Sequence, residues 1–212
     1  MGQKDTKERL LDAGEKCFAR DGYHCTSLRI LTKEARVNLA AVHYHFGSKV
    51  ELLRAVIQRR LVPLNLARTR RLQAVRERAR QDKQRPDARE VLRAFIEPSF
   101  AFKESEAGAR DFIALIGRSF SEPDDTVRTI FMQLIEPFFH FFSEILAESV
   151  PDLPRDVFCW RLHFIIGATA HTLQGAIGGN ICGPDEKSTT PTGELVDMYL
   201  AFVTSGLKAP VS

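Results

Sequence analysis

The chain has 212 residues, of which 44% are hydrophobic and 27% charged, a globular balance long enough for one large domain or a small head on a larger body. No apolar run approaches the ~18 residues a membrane span needs, and the opening MGQKDTKERLLDAGEKCF reads as an amphipathic charged helix, so a cytoplasmic protein without a membrane role is expected. The net charge of +3 hides an asymmetry: residues 1–60 carry +5, residues 61–89 carry +6 and the remainder −8, which suits a protein that meets a polyanion with one end only.

A first helix is predicted from Thr6 to Arg20, with Thr6 as its cap and Leu10, Leu11, Gly14, Cys17 and Phe18 as its inward stripe. Gly inside a helix costs roughly 1 kcal/mol against Ala, so close approach of a neighbouring helix is the expected reason for Gly14. Gly22 supplies the stop. A second helix follows Thr26 or Ser27, either of which can cap it, and buries Leu28, Leu31 and Ala35 while Arg29 points away. A turn at Ala35-Arg36-Val37 leads to Asn38, whose side-chain oxygen can accept from free N–H groups and start a third helix over Leu39 to His45. At 100° per residue, Ala41, Val42 and His45 share one face, while Leu39, Ala40, His43 and Tyr44 share the other. One face packs; the other is available for recognition.

From Ser48 a helical pattern runs to about Lys83, with a kink expected at Pro63 because proline lacks its N–H and crowds the preceding turn. Its strongly basic second part is read as a solvated connecting helix. Asp87 caps a helix over 87–103 with Val91, Leu92, Phe95 and Ile96 inward, and 109–121 repeats Phe112, Leu115, Ile116 and Phe120. Residues 125–148 are apolar on more than one stripe and call for burial on two sides. After Pro151–Pro154 come a helix over 155–177, a Gly-, Pro-, Ser- and Thr-rich loop over 178–193, and a final helix over 194–207.

The four cysteines form no Cys-x-x-Cys pair. Free thiols are expected, with Cys17 and Cys159 on apolar helix faces. His163 and His171 lack carboxylates at ligand spacing and read as buried or pocket histidines, so no metal or cofactor is expected. No Ser/His/Asp or paired-carboxylate constellation falls on one face, which argues against an enzyme.

A slim exposed helix beside Ser48 and Lys49 at a fresh helix N-terminus suits a phosphate-lined groove, although the same spacing also occurs in three-helix packing units that bind no DNA. The run VNLAAVHYHFGSKVELL, preceded by Thr26-Ser27-Leu28-Arg29 and the helix around Leu10 to Phe18, resembles the DNA-binding domain of TetR-family transcription regulators. The resemblance covers about the first quarter of the chain. It implies an all-α fold: a three-helix helix-turn-helix DNA-binding domain over 1–53, then a larger helical ligand-binding and dimerisation domain over 54–212. It also implies a homodimeric, ligand-responsive regulator, read as a repressor, on a double-stranded DNA operator. DNA contacts are then expected at Thr26, Ser27, Arg29, Asn38, Leu39, Ala40, His43, Tyr44 and Lys49. The alternative is a non-specific nucleic-acid-binding or architectural protein.

Two residues depart from the family pattern. Arg36 stands where the family usually has Gly, so either the turn relaxes or a phosphate contact offsets a strain on the order of 1 kcal/mol. His43 stands where the first of two backbone-contacting aromatic residues is usual. Further on, WRLHFIIGATAHTL with RSFSEPDD and RRLVPLN resembles the PsrA-like, fatty-acid-responsive branch, which implies an acyl effector. Thirteen of the fifteen phenylalanines lie beyond residue 90, and an apolar effector site is expected near Phe95, Phe112, Ile116, Phe131, Ile135 and Phe138. Arg118, Arg128 and Arg161 are the cations expected to meet an anionic head group.

Overall fold

In a computed structural model the described residues are 5–105, 107–119, 125–175 and 190–211, and among them the regular elements are helices only. They run α1 (Thr6–Asp21), α2 (Leu28–Ala35), α3 (Leu39–Phe46), α4 (Lys49–Gln81), α5 (Ala88–Ser105), α6 (Ala109–Ser119), α7 (Thr126–Glu148), α8 (Arg155–Gly175) and α9 (Thr192–Lys208). The expected all-α class and its element order are thus observed. Phe120, Cys182, Lys4, most of the expected turn at 121–125 and most of the loop at 178–193 lie outside the described residues. The helix ends follow the sequence chemistry. Ser27, Asn38 and Ser48 each accept a backbone N–H three residues on, and Asp87 takes the N–H groups of Arg89 and Glu90, so orphan donors at four helix starts are satisfied locally.

The chain forms two compact units, one of residues 1–63 and 105–135, the other of 64–104 and 136–212. In the first, Leu10, Cys17, Phe18, Leu31, Val42, Leu52, Leu53, Val56 and Ile57 are buried to zero exposure, each large apolar side chain contributing about 1.5–3 kcal/mol. Gly14 explains itself here: a Cβ at that position would stand 2.8 Å from Val56 Cγ2, so α1 and α4 approach as close as the missing side chain permits. Beside this contact, Glu15 on α1 is 4% exposed and is bonded by Arg59 and by Arg60, the latter through Nε at 2.7 Å. Arg59 also reaches Asp12 at 2.8 Å and Glu8 at 3.4 Å. Arg60 additionally donates to the Ala107 carbonyl. At the other end of α6, Arg118 donates to the Arg20 carbonyl at 2.8 Å and the Ala19 carbonyl at 3.3 Å, satisfying the unpaired C-terminus of α1. Thr6 is the first helical residue, not the cap: Asp5 occupies that position, and the Thr6 hydroxyl accepts from Arg9.

In the second unit the aromatic rings of Phe95, Phe138 and Phe142 stack, with centroids 4.6 to 6.2 Å apart. On α8 and α9, the Tyr199 hydroxyl shares a 2.8 Å hydrogen bond with Thr169, and both reach the Ile165 carbonyl. Helix α4 continues through Pro63, which is exposed. It ends where Lys83 takes a left-handed φ of 53° and Gln84 N–H reaches back to the Ala79 carbonyl, the closing pattern of a Schellman motif.

Several expectations are corrected. Cys159, His163 and His171 are exposed, because α8 turns that side away from its own unit. The expectation of no membrane-length apolar segment meets α7, which by length and composition alone could cross a bilayer. One side of it, with Ile130, Ile135, Phe138, Phe142, Ile145 and Leu146, is buried within the protein, whereas Phe131, Leu134, Phe139 and Phe141 are half-buried and Met132 is exposed, so the burial on two sides expected of this helix is not observed.

Candidate nucleic-acid interface

The turn between α2 and α3 fixes how α3 is offered. Arg36 keeps a left-handed conformation, φ 55° and ψ 49°, so the turn does not relax around the side chain. The Val37 N–H bonds the Thr32 carbonyl and the Arg36 N–H bonds the Lys33 carbonyl, a Schellman closure that demands the left-handed residue. Arg9 Nη1 donates to the Arg36 carbonyl at 3.4 Å, tying the turn to α1. The Arg36 side chain points out to solvent.

Beyond the turn α3 is divided as its spacing predicts. Val42 is fully buried and Ala41 and His45 are half-buried, whereas Ala40 and His43 are exposed, Leu39 is 45% exposed and Tyr44 86%. A tyrosine is ordinarily at least partly covered, and among the described residues the ring paired with Tyr44 is that of its neighbour His45, edge-on with centroids 5.0 Å apart. His43 Nδ1 donates to the Gly47 carbonyl at 3.0 Å, since a carbonyl can only accept. The bond pins the ring and presents its Nε2 edge outward. Arg29 is exposed on α2. Lys49 opens α4 with its ammonium 4.1 Å above the Tyr23 ring, held beside the N-terminal N–H groups.

Of the nine expected contact residues, Arg29, Leu39, Ala40, His43 and Tyr44 are exposed on α2 and α3, and Ser27 and Asn38 cap those two helices. Lys49 is half-buried at the start of α4. Thr26 is the correction: it has zero exposure, and its hydroxyl reaches the Gly22 carbonyl at 2.7 Å and the Cys17 carbonyl at 3.2 Å. Thr26 therefore closes the end of α1 and has no surface to offer a ligand.

The six expected effector residues divide between the units. Phe95 and Phe138 stack in the second unit, while Phe112, Ile116, Phe131 and Ile135 belong to the first. All but the half-exposed Phe131 are buried. The three expected cations are otherwise engaged. Arg118 holds the C-terminus of α1. Arg161 holds that of α9 through the carbonyls of Leu207 and Ala209, at 2.8 and 2.7 Å. Arg128 pairs with Asp125 at 3.7 Å.

Sequence reading missed Arg68. It sits on α4 in the inward line of Leu61, Leu72 and Val75 and is 5% exposed. That break in an apolar stripe was the available signal. Among the described residues no metal-ligating cluster of His, Cys, Asp and Glu occurs.

A recognition helix with one buried and one bare face, set by a capped turn on a three-helix head, defines a helix-turn-helix DNA-binding protein. The family of bacterial regulatory proteins, tetR family, matches residues 10–56, and the tetracyclin repressor-like C-terminal domain matches residues 93–206. The chain belongs to the TetR family of transcriptional regulators.

A curated relative, the nicotine-responsive transcriptional repressor HdnoR of Paenarthrobacter nicotinovorans, is 43% identical over 51 residues, 24% of this chain and 26% of its own. Two solved structures share the fold over nearly their whole length. A TetR-like regulator from Rhodococcus sp. RHA1 has a TM-score of 0.66 at 18% identity, covering 99% of this chain and 100% of that one. FadR of Bacillus subtilis in complex with stearoyl-CoA has a TM-score of 0.62 at 16% identity, covering 94% and 98%. The chain spans only 47% and 26% of the length of two of the curated relatives it matches.

Proposed function

We propose that this TetR-family regulator is a cytoplasmic repressor that binds a palindromic operator as a homodimer and leaves it when a small apolar or acyl effector binds. Residues 1–53 form the DNA-binding domain and 54–212 the effector-binding and dimerisation domain. The α3 face of Leu39, Ala40, His43 and Tyr44 enters the major groove, and Arg29, Lys49 and the helix N-termini take phosphates. The observation that carries this reading is Tyr44: its ring is 86% exposed on a helix whose opposite residue, Val42, is fully buried, and folding gives no reason for such a ring to stand in water.

Dimerisation through α8 and α9 is supported by Trp160, Phe164, Met198 and Phe202, which are 56–71% exposed on those helices. An apolar patch of this kind marks an interaction surface. The two-fold axis of such a dimer matches a palindromic operator. An acyl effector of the PsrA-like kind is supported by the fold shared with FadR, a protein captured with stearoyl-CoA. The effector acts only if it prefers the conformer whose two heads are wrongly spaced, since equal affinity shifts nothing.

The test selects DNA from a random pool and measures binding of Tyr44→Ala and Lys49→Ala to the enriched sequence. Each loses on the order of 1–3 kcal/mol of affinity with an unchanged melting temperature. Loss of helicity in either variant, or unchanged affinity, defeats the assignment. Competition with unrelated DNA separates specific binding from the architectural alternative.

A further inference from the structure

The second unit holds a charge that its own residues do not neutralise. Arg68 is the one cationic side chain classed as buried among the described residues, at 5% exposure. Its hydrogen-bond acceptors are neutral: Asn65 Oδ1 at 3.0 Å from Nη1 and Ser99 Oγ at 2.6 Å from Nη2. Ser99 is set for this role, because its own hydroxyl proton goes to the Phe95 carbonyl at 3.1 Å and a lone pair is left for the guanidinium. Arg68 Nε is buried and bonds nothing. Arg9, Arg59 and Arg76 also leave Nε unbonded, but Arg59 and Arg76 are each paired with a carboxylate, and Arg9 is only half-buried at the head of α1. On α5, Glu97 pairs with Arg71 at 2.9 Å. Burial alone pulls the Arg68 guanidinium down to about 9, with no acid raising it again, and it stays cationic at neutral pH.

The side chains packed against this cation are aromatic, and a ligand would have to part them to reach it. The Arg68 guanidinium carbon lies 4.8 Å from the Phe95 ring centre and 5.3 Å from that of Phe138, and these rings continue into the stack with Phe142. Burying an unpaired charge is costly, and ring faces compensate it less well than an anion does. A carboxylate accepts from Nε and a neighbouring Nη in a parallel fork, the strongest pairing open to a guanidinium. We propose that Arg68 is the anchor for the carboxylate of a monoanionic effector whose apolar body lies along Phe95, Phe138 and Phe142. This rests on the reading of the chain as an effector-responsive regulator, and it specifies the effector class: an acid with an aliphatic or aromatic body, and not a neutral or cationic compound.

The experiment titrates the full-length protein calorimetrically with matched pairs, decanoate against methyl decanoate and 4-phenylbutyrate against its methyl ester. In the wild type at least one acid binds about tenfold more tightly than its ester, and in Arg68→Met the ratio falls to about one with ester affinity unchanged. The pair that shows the preference distinguishes an aliphatic from an aromatic body. Arg68→Lys, which keeps the charge but not the fork, retains a weakened preference and serves if the Met variant does not fold. Equal binding of acid and ester by the wild type, or an acid preference that survives in Arg68→Met, overturns the anchor while the effector reading stands. If neither member of either pair binds the wild type, both the anchor and the apolar-effector reading fall.

Discussion

Arg60 donates its Nε to Glu15 Oε1 at 2.7 Å and its Nη2 to Glu15 Oε2 at 2.9 Å, a forked ion pair joining α4 to α1. Glu15 accepts from Arg59 as well, so one nearly buried carboxylate answers two guanidinium groups. Glu15→Gln keeps the shape and removes the negative charge that the two half-buried guanidinium groups share. Breaking a buried pair from one side costs about 3 kcal/mol, and urea unfolding of the variant is expected to show a loss of that order. A loss below about 0.5 kcal/mol would mean that the pair is screened like a surface bridge.

Gly14 gives a steric counterpart. Alanine at this position gains up to about 1 kcal/mol of helix propensity, but its Cβ would meet Val56 Cγ2 at 2.8 Å, and overpacking costs about 1–3 kcal/mol. Gly14→Ala is therefore expected to be net destabilising. Val56→Ala clears the contact, so the double variant is expected to be more stable than the sum of the two single losses, a coupling that a double-mutant cycle reads directly. Strict additivity would show that α1 and α4 do not press on each other here.

Both units show what sequence can and cannot specify. Helix ends were readable because capping is local: Asn38 and Asp87 satisfy N–H groups within three residues of themselves. The α3 faces were readable because 100° per residue needs no partner. Thr26 was misassigned because its hydroxyl closes the end of α1, with acceptors four and nine residues back. The Glu15 network was missed although Glu8, Asp12 and Glu15 recur at helical spacing, since their partners lie 44 to 51 residues away. Arg68 was missed for the opposite reason, that no residue of opposite charge marks its place.

Arg36 offers a separation of folding from binding. Its left-handed φ of 55° costs a non-glycine residue roughly 1 kcal/mol, and Arg36→Gly removes that strain while freeing the unfolded chain slightly. Unfolding experiments are expected to find the variant about 0.5 kcal/mol more stable, and no less stable than the wild type. If the exposed guanidinium also contacts a phosphate, DNA affinity falls and the slope of log K against log salt shrinks by about one. A less stable Arg36→Gly protein would show that the arginine side chain itself holds the turn.

The last prediction concerns the exposed apolar side of α8 and α9. Phe164, Ala168, Phe202 and Gly206 line a shallow groove with Arg161, Ile165 and Val203, and Gly206 has nothing within 4 Å of where a Cβ would stand. Both helices otherwise spend their buried residues on their own unit, with Val196, Tyr199, Leu200, Val203 and Leu207 inward. Phe202, 71% exposed, can be changed without disturbing that packing, so Phe202→Glu is expected to keep its helicity. If this face joins two copies about a two-fold axis, each Phe202 lies in an isologous contact, and a carboxylate there meets its own copy and apolar rings at once. Light scattering after size exclusion is expected to give a monomer or aggregate for Phe202→Glu and a dimer for the wild type. The monomer is expected to lose specific DNA affinity because a palindromic site needs both heads. A fully dimeric Phe202→Glu protein that still binds its selected DNA would place the interface on another surface.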